Sequence, residues 1–199
     1  MPRRTLYKAR DMSESTALDP RVEALLDKQA ITDLVYAYCN AADRHDNEKM
    51  RSLYHDDAID EHGQFFEGSA MAFIDALPGI QENMRILHHN VTTLNIVLDG
   101  ARAEGEVYIL AFHQVASEEG LMDVLIGGRY FDKYEKRDGI WKYSHRAVVA
   151  DWVKVDDPST VNLEHPMIEG SRIGKPGQVD PSYSFFEIFK WGQGLHRKL

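Results

Sequence analysis

From residue 86 to residue 155 the sequence reads almost continuously as β-strand, and this feature constrains the fold more than any other. There are four long strand-like segments, at about 86–98, 102–117, 121–136 and 140–155. ARAEG and KRDGI are turns between them, and Asp138-Gly139 is a strong hairpin signal. Helical periodicity is confined to the chain before them. Helices first and strands after predict an α+β fold, with helices packed on one side of an antiparallel sheet.

The helical part begins after a polar, aperiodic stretch, residues 1–20, which reads as a flexible N-terminal arm. Val22, Leu25, Leu26, Ile31, Leu34, Val35 and Tyr38 fall close to one broad apolar face, so a helix is expected from there to about Ala42. Asp46 is placed to cap a second short helix through Met50, Leu53 and Tyr54. AIDEHGQFFEG reads as a strand with a turn, and SAMAFIDALPGIQEN as a third helix with Ser69 as its N-cap and Pro78 near its end. Residues 21–155 thus form the barrel-like domain. From 156 to 199 the composition shifts to Pro, Gly and Ser, then closes on the aromatic run FFEIFKW. That run is too apolar for a free tail and is expected to dock on the barrel or on a neighbouring subunit.

A chain of 199 residues suits one domain with a real core. A formal charge of −9 argues against nucleic-acid binding, which needs a basic footprint. No run approaches the roughly eighteen apolar residues of a membrane span, and the N-terminus does not read as a secretory signal. Cys39 is the single cysteine, so neither an intrachain disulfide nor a thiolate cluster is available; a reducing cytoplasm fits. The nine histidines are scattered, without HExxH or His-x-Asp spacing, so no metal and no other cofactor is expected. GxSxG, P-loop and dinucleotide fingerprints are absent.

One short stretch poses the functional question. ILHHNVT places His88 and His89 side by side at the start of a strand, where successive side chains point to opposite faces. His89 shares a face with Val91, Thr93 and Val97; His88 shares the other with Leu94, Ile96 and Leu98. Periodicity does not choose between them. Asp43, at the end of the first helix, reads as a helix-end carboxylate or as a partner for an imidazole. Tyr38 reads as a core aromatic whose hydroxyl needs a partner. Arg146 shares strand parity with Lys142 and Ser144, Asp60 shares a face with His62, and His113 shares one with Gly105, Val107 and Ile109.

The order helix, helix, strand, helix, four long strands resembles the nuclear transport factor 2-like superfamily, a cone of curved sheet wrapped around N-terminal helices. ITDLVYAYCNAADRHDNEKMRSLYHDDAIDEHG resembles the opening of its SnoaL-like branch, and GGRYFDKYEKRDGIWKYSHR its penultimate hairpin. The likeness covers roughly residues 22–152. Three cofactor-free lyases of that fold are similar at the residues that matter: hexachlorocyclohexane dehydrochlorinase, bile-acid dehydratase and scytalone dehydratase. The resemblance puts a catalytic aspartate on Asp43, a histidine heading His-x-x-Thr on His89, an arginine of the last hairpin on Arg146 and a tyrosine on Tyr38.

By the same resemblance Val107, Ile109, Ile126 and Tyr130 line the pocket, with Asp60, His62 and His113 as further substrate-binding candidates. Asp60 stands where the dehydrochlorinase has a tryptophan, which favours an oxygenated substrate. The implied activity is a dehydratase-like lyase with an Asp–His acid/base pair, acting on a small hydrophobic, hydroxylated compound that is aromatic, steroid-like or polyketide-like. The fold also hosts ketosteroid isomerases, polyketide cyclases and non-catalytic small subunits of ring-hydroxylating dioxygenases. A homo-oligomer is implied, a trimer before a dimer.

Overall fold

The computed structural model describes residues 18–194; most of the proposed N-terminal arm lies outside the described residues. Helix α1 spans Pro20–Arg44. Asp19 accepts the Arg21 amide and Pro20 occupies the first turn, where its missing N–H costs nothing. His45, with φ of 54°, ends the helix in the left-handed region. Ile31, Leu34, Val35, Tyr38, Cys39 and Ala42 are buried, whereas Val22, Leu25 and Leu26 are exposed. The apolar stripe is therefore longer than the sheet that receives it.

Short helix α2, Asn47–Ser52, leads into β1, Tyr54–Glu61; β2, Glu67–Ser69, precedes α3, Ala70–Gln81. Ser69 holds the N-cap place of α3 without a side-chain hydrogen bond, and Pro78 lies in the helix near its end. The four long strands are β3, Met84–Asp99; β4, Arg102–Ser117; β5, Gly120–Arg137; and β6, Ile140–Asp156. They pair antiparallel in sequence order, and β1 adds to β6 in parallel. The curved sheet runs β2-β1-β6-β5-β4-β3 and stays open, so β3 is an edge. Helices α1 and α3 pack into its concave side, and the core forms between them. Among the described residues no helix is long and apolar enough to cross a membrane.

Residues after β6 run back over the same chain. Ser159 Oγ and the Thr160 amide donate to Asp123 at 2.6 and 2.7 Å. Asp180 caps the short helix α4, Pro181–Phe185, and pairs with Arg44 at 2.7 Å. The Gly192 amide donates to Asp46 Oδ2 at 2.8 Å, while Oδ1 of the same carboxylate takes the Lys49 amide at 3.0 Å and caps α2. Asp46 is thus fully buried between a helix cap and the tail. Asp46→Ala is expected to cost about 1–2 kcal/mol in urea unfolding, with tail cleavage by a protease accelerated. Unchanged stability and cleavage would contradict this joint role.

Candidate active site

β3 pairs only with β4, so its outward amides need partners beyond the sheet. Asp43, on the last turn of α1, meets one of them. Its two carboxylate oxygens accept the His89 amide at 3.1 and 3.2 Å, and Oδ1 lies 2.7 Å from His89 Nδ1. One carboxylate therefore fixes both the backbone and the ring of the same residue. A hydrogen on Nδ1 donated to Asp43 leaves a lone pair on Nε2. His88 is exposed on the opposite face and takes no part.

His89 opens onto a cavity of about 570 Å³. Its walls are apolar, including Met50, Phe73, Leu77, Leu87, Ile126 and Val148; Tyr38, His62, His89 and His113 supply convergent polar groups. His113, on β4, brings its Nε2 to 3.5 Å from His89 Nε2. Burial first, and then the neighbouring His89, push the His113 imidazole down to about 4, with Asp43 acting in the opposite direction. His113 is therefore neutral at pH 7, able to offer or accept one hydrogen beside the base.

The sign of the linked stability effect follows from this depression. An unfolded His113 takes up its proton near 6.5 and the folded one near 4, so stability is full above 6.5 and falls as the pH drops between the two. His113→Asn should reduce the loss of unfolding free energy between pH 7.5 and 4.5 by about 2 kcal/mol, read by urea denaturation at both pH values. An unchanged pH dependence would contradict the buried, neutral state.

Arg146 requires a correction. It is wholly buried and does not line the cavity. Nε and Nη2 each donate to Asp132 at 2.7 Å, and Nη2 also donates to the Tyr143 hydroxyl at 3.0 Å. Its guanidinium carbon lies 3.9, 4.0 and 4.3 Å from the ring centres of Tyr38, Tyr130 and Tyr143. Burial disfavours its charge, but Asp132 and the surrounding groups more than offset this. Shared parity with Lys142 and Ser144 would turn Arg146 outward, but the β5–β6 register shifts between Lys133 and Tyr134. This bulge lets Tyr143 and Arg146 both turn inward although they are three apart.

The cluster also accounts for other candidates. Tyr130 packs edge-on against Tyr38 at 5.8 Å, is buried in the core and does not line the cavity. Val107 and Ile109 are buried in the same core and do not reach the cavity either, whereas Ile126 does. Tyr38 bridges the two regions, with one side on Arg146 and another on the cavity. Burial raises its hydroxyl well above the ordinary range, against the pull of Arg146, so it stays a donor. Burial also pushes the Cys39 thiol up to about 12, which removes it as a nucleophile. Asp60 is fully buried behind His62, which lines the cavity.

Sequence reading missed Asp132, Tyr54 and Tyr143. Asp132 could have been found by counting back from the Asp138-Gly139 turn, but a simple count misses Arg146 by one position because of the bulge. Among the described residues no group of three or more His, Cys, Asp or Glu side chains is placed to hold a metal ion.

A helix-filled, curved and open α+β sheet defines the nuclear transport factor 2-like cone fold. The SnoaL-like domain model matches residues 23–147, and the chain belongs to that family. Among solved structures, a scytalone dehydratase candidate from Novosphingobium aromaticivorans is 24% identical with a TM-score of 0.62, over 67% of this chain and 90% of that one. The hexachlorocyclohexane dehydrochlorinase LinA-type3 from Novosphingobium barchaimii is 20% identical with a TM-score of 0.65, over 71% and 98%. A single-substitution form of Rv3472, a protein of unknown function from Mycobacterium tuberculosis, is 25% identical with a TM-score of 0.54, over 68% and 78%. A comparison with curated proteins finds no match.

Proposed function

We propose that this chain is a cofactor-independent lyase of the dehydratase kind, acting on a small hydroxylated aromatic, steroid-like or polyketide-like compound. The observation that carries the reading is the Asp43–His89 contact at 2.7 Å on the wall of an apolar cavity. His89 Nε2 is the base that removes a proton from carbon. Asp43 holds the ring and stabilises the imidazolium that forms. Tyr38, on the wall of a largely apolar cavity, donates to the substrate oxygen that gains charge. Arg146 acts behind Tyr38 as a positioning residue, held by Asp132. His113, His62 and Ile126 complete the substrate wall, with Asp60 behind His62.

The test is a panel of hydroxylated aromatic, steroid and polyketide compounds incubated with the protein and with His89→Gln, products being read by mass spectrometry. Loss of one water with the first and not the second supports the reading. Conversion without change of mass would move it to isomerase or cyclase chemistry at the same pair. No conversion, together with a stable complex with a larger subunit, would replace it with a supporting role.

A homo-oligomer, with a trimer before a dimer, goes with this reading. Tyr108, Leu110, Phe131, Trp152 and Val153 leave apolar surface exposed on the long strands, and light scattering reads the mass. A cytoplasmic setting goes with it as well.

A further inference from the structure

A second Asp–His pair faces the same cavity from another strand. Asp60, on β1, is fully buried, and its Oδ2 accepts the Tyr54 hydroxyl at 2.6 Å. Its Oδ1 lies 2.7 Å from His62 Nε2. Neither of those two atoms has a well-aligned hydrogen bond, and both are shut off from solvent. Two acceptors at that distance would repel, so Nε2 carries a hydrogen, in close contact with Asp60 Oδ1 but not aligned on it as a hydrogen bond. The His62 ring stacks on Phe73, with centroids 4.3 Å apart, and both residues form cavity wall. Among the described residues no hydrogen bond to His62 Nδ1 is formed, and unlike Nε2 that atom is not shut off from solvent. Nδ1 is thus the ring nitrogen of His62, a cavity-lining residue, that Asp60 leaves free.

The charges around Asp60 point the same way. Asp60 and Arg146 are Cα partners across the parallel β1–β6 ladder, yet Arg146 spends its carboxylate bonds on Asp132. Among the described residues Asp60 forms no ion pair with Arg146. A buried carboxylate without a cation of its own is costly, and among the described residues His62 is the basic side chain within ion-pair distance of Asp60. β1 and β3 lie towards opposite ends of the sheet order, and the curvature of the sheet brings His62 and His89 onto one cavity.

We infer that His62, held by Asp60, is a second catalytic residue, the acid that protonates the departing oxygen while His89 takes the proton from carbon. This rests on the lyase reading. His89 Nε2 removes the proton, and the C–H electron pair becomes the new C=C bond. The C–O bond breaks, its pair stays on oxygen, and His62 Nδ1 gives that oxygen its proton. Water leaves, His62 ends neutral and His89 ends as imidazolium against Asp43. Proton exchange with solvent restores both.

The experiment uses two substrates with one carbon skeleton, one losing hydroxide and one losing bromide, which needs no proton. His62→Gln is expected to slow loss of the hydroxyl by about a hundredfold and loss of the bromide by less than about threefold. Asp60→Asn should give the same signature in smaller measure. Equal slowing of both substrates, or of neither, overturns the inference and leaves the lyase reading standing.

A second arm needs no turnover. The chromophore 4-nitrophenol, bound as phenolate, is expected to lose about tenfold in affinity in His62→Gln, the worth of one charge-assisted hydrogen bond. In Arg129→Gln, a substitution away from the cavity, its affinity should hold. Absence of binding to the parent protein, or equal binding by His62→Gln, overturns the inference even where no lyase substrate has been found.

Discussion

His89→Gln is expected to lower kcat by about a thousandfold while the protein stays folded. Glutamine can still donate to Asp43 but presents no basic nitrogen to the cavity. His89 is partly exposed on an edge strand, so its loss leaves no large void. Asp43→Asn should approach the same loss by another route. An asparagine amide turned towards Nδ1 would donate to it and force the ring hydrogen onto Nε2, the nitrogen that must accept a proton. The two effects act through one proton and should not add: the double variant should be little worse than His89→Gln alone. Steady-state kinetics on a turned-over substrate, with thermal melts as the folding control, read this. Full activity in His89→Gln would remove the base from the account.

Arg146 gives the other large effect, on stability. Arg146→Met leaves Asp132 buried and unpaired and is expected to destabilise the protein by about 3–5 kcal/mol in urea unfolding. The Asp132→Leu, Arg146→Met double variant should recover most of that loss, because the charge and its counter-charge go together. Arg146→Lys should not rescue the single variant, since an ammonium cannot make the bidentate bond to Asp132 or lie flat among the rings of Tyr38, Tyr130 and Tyr143. A catalytic arginine would give the reverse pattern, with activity lost and stability kept.

The contrast between these residues shows what the sequence could disclose. Helix α1, the cap at Asp46 and the four long strands rest on signals within a few residues of one another, and the structure has all of them. The tail's contacts with Asp46, Asp123 and Arg44 join positions far apart in the chain. An aromatic run can announce only that it will be covered. The choice of His89 over His88 came from resemblance to other chains, because both strand faces carry apolar residues and period-2 reading is symmetric between them. Strand parity alone puts Arg146 outward with Lys142 and Ser144. One unpaired residue in β6 turns it inward, and nothing local in KYSHR marks the bulge. Resemblance places it on the cavity, which it does not line because Asp132 holds it in the core. Val107, Ile109 and Tyr130 are inward, as strand parity requires, yet they are buried in the core and do not line the cavity. Asp60 and His62 were legible as a same-face pair, but their depth depends on α3 and Phe73 closing over them.

The central claim is that His89 offers an unprotonated Nε2 to the cavity because Asp43 holds the hydrogen on Nδ1. Long-range proton–nitrogen correlation NMR on histidine-labelled protein reads this without any substrate. The neutral His89 ring should show the Nδ1–H tautomer, and Asp43→Asn should change it. A neutral His89 carrying its hydrogen on Nε2 in the parent protein would contradict the account, because the nitrogen facing the cavity would then have no lone pair with which to act as a base.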